Sequence, residues 1–293
     1  MIYIDGRFYE RAEAKISVYD HGLLYGDGVF EGIRVYRGRA FMLNEHLVRL
    51  YRSAKAIVLD IPLSMEEMME TVNESVRVSG RSEGYIRLIV TRGVGNLGLN
   101  PAQCPRASVI IIVDDIQLYP VEYYKKGISV ITSSLRRVGM DCLDPRIKSL
   151  NYLNNIMARM EAQRAGCQEA VILNREGYVA ECSGDNIFIV RGGELWTPSA
   201  DNGALDGITK GIVIGIAAGL GIEIHQGSIT QYDLYTADEC FLTGTGAEIM
   251  PVISVDGRII GNGGTGHLTN LLVQGFGRYI ENAMSTAAPA VVA

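Results

Sequence analysis

Lysine is scarce in this chain. Six lysines, at positions 15, 55, 125, 126, 148 and 210, stand among 27 basic residues, so arginine carries most of the positive charge and few amines are available for imine chemistry. Cysteine is thin as well: the five at 104, 142, 167, 182 and 240 are odd in number and widely separated, with no C-x-x-C pair. That pattern argues against a disulfide framework or a zinc site and reads as reduced thiols. No basic stripe or tail is present, and a net charge of -6 with a pI near 5.4 gives no electrostatic reason to expect nucleic acid. No apolar run approaches bilayer-spanning length, and Met1-Ile2-Tyr3-Ile4-Asp5-Gly6-Arg7 lacks a basic region followed by an apolar core. The expectation is a soluble cytoplasmic protein without a membrane partner.

What is there fits two domains, since 293 residues exceed one ordinary core. Ile2 to Ile4 before Asp5-Gly6, and Val29 to Tyr36 before Arg37-Gly38, predict strands entering hairpins. Asn44 is placed to cap a helix through Leu59, with Leu47, Leu50, Ala54 and Ile57 as its apolar stripe, and Ser64-Met65-Glu66-Glu67 has capping-box spacing for a helix ending near Gly80. Tyr85 to Thr91 and Ala107 to Val113 read as buried strands. Further on, strands are predicted from Gly127 to Leu135, Glu169 to Leu173 and Asn186 to Val190, and helices over Tyr152 to Ala165, Ile208 to Leu220 and Gly266 to Glu281. The fold class is α+β: a small N-terminal domain over 1–117, a linker over 118–126, a larger C-terminal domain over 127–284, and a disordered small-residue tail over 285–293. No internal repeat is visible.

Lys148 lies in Ile147-Lys148-Ser149-Leu150-Asn151-Tyr152-Leu153-Asn154-Asn155, an apolar and amide-rich run with almost no other charge. Two readings are open there. The stem could pack on a strand edge while the head reaches water, or desolvation could favour the neutral amine and prepare it for a Schiff base. Glu181 is equally ambiguous alone, because an isolated acid in a turn is usually solvated. Read together, however, three blocks follow the lysine in order: Glu181-Cys182-Ser183-Gly184-Asp185-Asn186-Ile187-Phe188, Leu195-Trp196-Thr197-Pro198, and Leu205-Asp206-Gly207-Ile208-Thr209-Lys210. Upstream stand His21-Gly22-Leu23-Leu24-Tyr25-Gly26-Asp27-Gly28-Val29-Phe30-Glu31-Gly32-Ile33-Arg34 and Glu45-His46-Leu47-Val48-Arg49-Leu50.

This long pattern resembles the class IV (fold type IV) pyridoxal-phosphate enzymes, and within them the branched-chain amino-acid aminotransferases, from about Ile2 to about Gly277. The resemblance implies a small α/β domain and a larger pseudo-barrel domain, with pyridoxal 5'-phosphate as cofactor and pyridoxamine phosphate as its alternate form. It implies that Lys148 holds the cofactor through an imine and then serves as general base at the substrate α-carbon. Glu181 would keep the pyridine nitrogen protonated, and Tyr152 would hydrogen-bond the phenolic oxygen. The Gly207-Ile208-Thr209 helix start, Arg49 and Thr245 would hold the phosphate. Tyr25, Phe30, Gly32 and Tyr119 would line the substrate pocket with Leu99 of the partner subunit, from the Gly95 to Pro101 loop. Tyr85, Thr245 and Gly246 would serve the α-carboxylate and Arg87 the distal one. For Tyr85 and Arg87, plain strand alternation is the competing reading.

The activity implied is reversible ping-pong transfer of an amino group between L-leucine, L-isoleucine or L-valine and 2-oxoglutarate, giving glutamate and branched 2-oxo acids, in a homodimer or higher homo-oligomer. Rival members of the same fold are a D-amino-acid or (R)-amine transaminase and an aminodeoxychorismate lyase; a non-catalytic binding protein is the remote alternative. The D-amino-acid enzymes typically carry an Arg-x-His pair for the substrate carboxylate, and no histidine occurs here between His46 and His225. Two departures from the family pattern bear on the side-chain pocket: Gly246 where alanine is more usual, and Asp114-Asp115 where relatives tend to carry an aromatic wall.

Overall fold

The computed structural model describes residues 1–116 and 119–285. The chain forms two compact units: one of Met1–Ile116, Ile147–Asn151 and Ile280–Ala293, the other of Gln117–Arg146 and Tyr152–Tyr279.

The first unit is a six-stranded antiparallel sheet in the order Arg7–Tyr9, Ile2–Ile4, Ser108–Asp114, Gly84–Thr91, Gly28–Tyr36, Arg39–Ala40. Period-two alternation sends Val29, Ile33 and Val35, Ile86, Leu88 and Val90, and Val109, Ile111 and Val113 to one face. Two helices cover that face. Leu43–Ala56 presents Leu43, Leu47, Leu50 and Ala54, and Met65–Ser79 presents Met68, Val72 and Val76, at helical spacing. The expected capping box forms in full, since Ser64 Oγ accepts from Glu67 N–H and the Glu67 carboxylate accepts from Ser64 N–H. Asn44, by contrast, is not a cap. The helix begins at Leu43 after Met42, whose φ of 53° places the chain reversal two residues earlier and leaves Asn44 inside the first turn.

The second unit is a nine-stranded mixed sheet. Its main path runs Ile224–Gly227, Glu194–Pro198, Asn186–Arg191, Glu239–Gly244, Glu248–Val255, Ile128–Arg136, Glu169–Leu173, Val179–Cys182, with Arg258–Ile259 paired to Glu248–Val255. Ile128, Val130, Val171, Ile187, Leu242 and Val252 build its core. Helix Leu153–Arg164 packs through Ala158 and Ala162 against Ala170 and Ile172, small residues that bring helix and sheet close. Gly166, at φ 72°, turns the chain out of it.

The expected linker divides. Leu118 lies outside the described residues, whereas Tyr119 is buried in the second unit's core and Tyr123–Lys126 form a short helix whose tyrosines pack there. Ile147–Asn151, expected in the C-terminal domain, clusters with the first unit. Of the expected disordered tail, residues 286–293 lie outside the described residues, and Ser285 ends helix His267–Ser285.

Candidate active site

Lys148 reaches its place through strand pairing. Ile147–Asn151 lies along the edge of Gly28–Tyr36: Phe30 N–H donates to Lys148 O at 3.0 Å, Leu150 N–H to Gly28 O at 3.0 Å, and Val29 and Ser149 form an antiparallel bridge. Lys148 N–H donates to Ser53 Oγ at 3.1 Å, which ties the lysine backbone to helix Leu43–Ala56. With Ser149 opposite core-facing Val29, the pleat sends Lys148 to the face of the sheet away from the helices. There its Nζ lies 4.6 Å from the centroid of the Phe30 ring, with Lys148 half-buried. Arg87 Cζ lies 4.5 Å from the same centroid and 5.6 Å from that of Tyr85. Two cations on one aromatic ring concentrate positive potential at a place suited to an anionic ligand.

Gly32 belongs to this face by necessity. A Cβ there would sit 1.7 Å from the Tyr85 hydroxyl, so only glycine lets that ring cross the neighbouring strand. The structure thus brings Lys148, Phe30, Gly32, Tyr85 and Arg87 together. Tyr25 ends the short helix His21–Tyr25, and its hydroxyl accepts from Gly98 N–H at 2.9 Å, in the loop that carries the 82 % exposed Leu99. Asp114 and Asp115 are engaged by Arg81, the former at 2.8 Å, so the two departing carboxylates are held in ion pairs at the end of strand Ser108–Asp114.

Arg49 sits beside a residue the motifs did not single out. Its Nε and Nη2 donate to the Glu31 carboxylate at 2.7 and 2.8 Å, and His46 Nδ1 is 2.7 Å from Glu31 Oε2. Glu31 is fully buried on the helix-facing side of strand Gly28–Tyr36. Burial alone would raise its carboxyl, but the charge and hydrogen bonds of Arg49, with those of His46, overcome this and hold it at about 2. Burial lowers the proton affinity of His46, opposed by its contact with Glu31 and assisted by the positive Arg49 and Lys148. A neutral His46 donating Nδ1–H to an ionised Glu31 is the arrangement these shifts favour. The signal that marks Glu31 in the sequence is a carboxylate at a core-facing position, between Val29 and Ile33.

In the second unit, Glu181 is part of strand Val179–Cys182 and buried, not a turn residue at the surface. Arg137 Nη2 lies 2.6 Å from Glu181 Oε1, and Leu205 N–H donates to Oε2 at 2.8 Å. Arg137 is itself fixed by Asn155 Oδ1 at 2.9 Å and Gly203 O at 3.2 Å. No local motif marks Arg137; its role emerges from burial beside Glu181. Asn186 Nδ2 donates to Leu205 O at 2.9 Å and reaches Glu181 Oε2 at 3.4 Å. Tyr152 is the half-buried N-cap of helix Leu153–Arg164, one residue before the helix rather than on its core face. Tyr119 packs in the core cluster, its hydroxyl 3.4 Å from Glu169 Oε2. Burial pushes its phenol up.

Helix Ile208–Gly219 starts after Gly207 with no side-chain cap, so its first N–H groups lack intrahelical acceptors and form an anion-binding end. A Cβ on Gly207 would lie 1.9 Å from Asn186 Oδ1, which explains the glycine. Thr209 is buried, Ile208 is half-buried, and Thr245 and Gly246 are half-buried in the turn between strands Glu239–Gly244 and Glu248–Val255. Thr243 Oγ1, next to that turn, is buried without a hydrogen-bond partner among the described residues. Lys210 is more buried than Lys148 and burial lowers its proton affinity, but its Nζ donates to Pro198 O at 2.7 Å as a structural tie.

A phosphorylated pyridine aldehyde requires a presented amine, a buried acid for its ring nitrogen and an anion-binding helix end. The first unit offers an amine at Lys148, and the second, taken by itself, offers a buried acid at Glu181 and an anion-binding helix end after Gly207.

The model of the family "Amino-transferase class IV" matches residues 28–255. The chain belongs to the class IV aminotransferases. A Methanocaldococcus jannaschii protein named "Putative branched-chain-amino-acid aminotransferase" is 50 % identical over 275 residues, 94 % of each chain. The crystal structure of the Escherichia coli branched-chain amino acid aminotransferase superposes with a TM-score of 0.91 at 36 % identity, covering 93 % of this chain and 92 % of that one. The Thermobaculum terrenum branched-chain amino acid aminotransferase in its PLP form gives 0.87 at 30 % identity, covering 96 % and 94 %. Among the described residues no helix is long and apolar enough to cross a membrane.

Proposed function

We propose that this protein is a pyridoxal-phosphate-dependent branched-chain amino-acid aminotransferase, exchanging an amino group between L-leucine, L-isoleucine or L-valine and 2-oxoglutarate. The observation that carries the reading is the placement of the Lys148 amine on the Phe30 ring beside Tyr85 and Arg87. An amine for chemistry, aromatic surface for a branched side chain and a cation for a distal carboxylate share one sheet face. The names of the similar structures support the same reading.

When bound, the cofactor supplies an electron sink for the charge left at the substrate α-carbon. Lys148 would hold it covalently and, when its amine is free, would move the proton at the substrate α-carbon. Glu181 would accept from the ring nitrogen N–H, its carboxylate being fixed by Arg137 and Leu205 N–H. Tyr152 would donate to the phenolic oxygen. Arg49, Thr245 and the N–H groups of Ile208 and Thr209 would bind the phosphate. Tyr25, Phe30, Gly32, Tyr85 and Tyr119 shape the substrate site, with Thr245 and Gly246 at the α-carboxylate. The exposed Leu99 loop supports completion of that site by a second copy, hence a homodimer as the minimal unit. The reading places the enzyme in the cytoplasm.

The test follows the cofactor's visible absorption on adding L-leucine and then 2-oxoglutarate. Loss of the band with L-leucine but not D-alanine, and its return with 2-oxoglutarate, is the expected result. A response to D-alanine alone would transfer the assignment to the D-amino-acid enzymes, one of which, the Listeria monocytogenes D-alanine aminotransferase, is 36 % identical to this chain.

A further inference from the structure

We propose that Glu31, assisted by His46, is a positioning residue that fixes the guanidinium of Arg49 for the cofactor phosphate; this rests on the reading that Arg49 binds that phosphate. The geometry is bidentate: Nε and Nη2 of Arg49 meet the two carboxylate oxygens at 2.7 and 2.8 Å, with Glu31 fully buried and the Arg49 side chain 14 % exposed. A guanidinium is planar, so a two-point contact on one edge determines where the opposite edge points. His46 holds the carboxylate from a third direction at 2.7 Å. His46 and Arg49 are three residues apart on helix Leu43–Ala56 and so face the same strand.

The same helix carries Ser53, whose hydroxyl accepts from Lys148 N–H at 3.1 Å. One rigid element therefore sets both the arginine and the lysine backbone. Charge and orientation act in opposite senses here. A carboxylate against Arg49 subtracts from the positive potential a phosphate would feel, so its benefit is directional. If net charge governed phosphate affinity, removing Glu31 would strengthen binding; if orientation governs it, removal weakens binding. The inference is the second.

The experiment loads the full-length protein with pyridoxal phosphate or with pyridoxal, which lacks the phosphate, and measures both dissociation constants by equilibrium dialysis. The readout is the preference for the phosphorylated form. Arg49→Gln tests the underlying reading, and a preference unchanged in that variant would sink the phosphate role itself. Given a loss there, Glu31→Gln should reduce the preference by about tenfold, the scale of a charge-assisted contact, with pyridoxal affinity held within about twofold. In the Arg49→Gln background, Glu31→Gln should add nothing. An unchanged or increased preference in Glu31→Gln overturns the proposal while leaving Arg49 as the phosphate ligand. A merely structural Glu31 would weaken both ligands alike, which also overturns it. If Glu31→Gln does not fold, His46→Leu and His46→Asn decide: the first should lose preference, and the second, which keeps a donor near Nδ1, should retain it. Equal preference in both overturns the proposal.

Discussion

Lys148 and Phe30 are joined twice, by a backbone hydrogen bond of 3.0 Å from Phe30 N–H to Lys148 O and by the contact of Nζ with the ring, 4.6 Å from its centroid. The first bond sets which face the lysine leaves from; the second holds its amine over an aromatic surface. A reactive lysine needs both a fixed origin and a restrained head, because a free side chain samples many rotamers.

Lys148→Ala should abolish transamination while leaving the fold intact. Loss of a covalent anchor and a general base together predicts a fall of at least about a thousandfold in kcat. Steady-state formation of glutamate from L-leucine and 2-oxoglutarate is the measurement, and turnover at the parent rate would reject the assigned role.

Phe30→Leu should separate restraint from chemistry. Removing the ring keeps apolar volume but removes the surface beneath Lys148 and Arg87, worth about 0.5–2 kcal/mol per cation contact. The expected outcome is a lower kcat with L-leucine and a higher KM for 2-oxoglutarate, whose distal carboxylate Arg87 is proposed to hold. Equal loss in KM for both substrates would argue for general pocket damage.

Gly32→Ala should be costly for a local reason. Its methyl would meet the Tyr85 hydroxyl at 1.7 Å, so the ring must move. A destabilisation of about 1–3 kcal/mol is expected from overpacking, read from urea melts. In a Tyr85→Ala background the same change should cost much less; equal cost in both backgrounds would place the strain elsewhere.

Gly207→Ala tests the helix start. The new methyl would lie 1.9 Å from Asn186 Oδ1 and displace an amide that binds Leu205 O and reaches Glu181. Cofactor affinity should fall by about tenfold or more, the scale of one lost hydrogen bond to a charged group. Equilibrium dialysis against pyridoxal phosphate reports it.

Acid should destabilise the first unit in two stages. The proton affinity of His46 is lowered in the fold, so the unfolded chain takes up a proton first and stability begins to fall below its ordinary value of 6.5. Glu31 is held at about 2 against an ordinary 4.5, so its contribution is present above 4.5 and lost as the pH falls toward 2. That second stage amounts to roughly 3 kcal/mol. Melting temperature against pH should show both losses, with the lower one absent in Glu31→Gln and the upper one absent in His46→Asn.

Local chemistry made parts of this protein legible in advance. Ser64 and Glu67 form their capping box because both partners lie within one turn, and strands such as Glu169–Leu173 follow from short apolar runs between breakers. Where a local rule misled, the competing cause was also local. Asn44 has the chemistry of a cap, but the positive φ of Met42 started the helix before it. Strand Val179–Cys182 escaped notice because a strand of four residues gives too short a pattern, and with it went the strand setting of Glu181.

The sequence by itself determined the family and the glycine-led helix start, because both are carried by residues spaced in a recognisable order. Only the tertiary structure decided which partners hold those residues. Phe30 against Lys148, Glu31 against Arg49 and Arg137 against Glu181 each join positions far apart in sequence, through sheet edges and buried ion pairs. Such pairings depend on register and burial, which arise when distant strands and helices pack, and no local propensity encodes them.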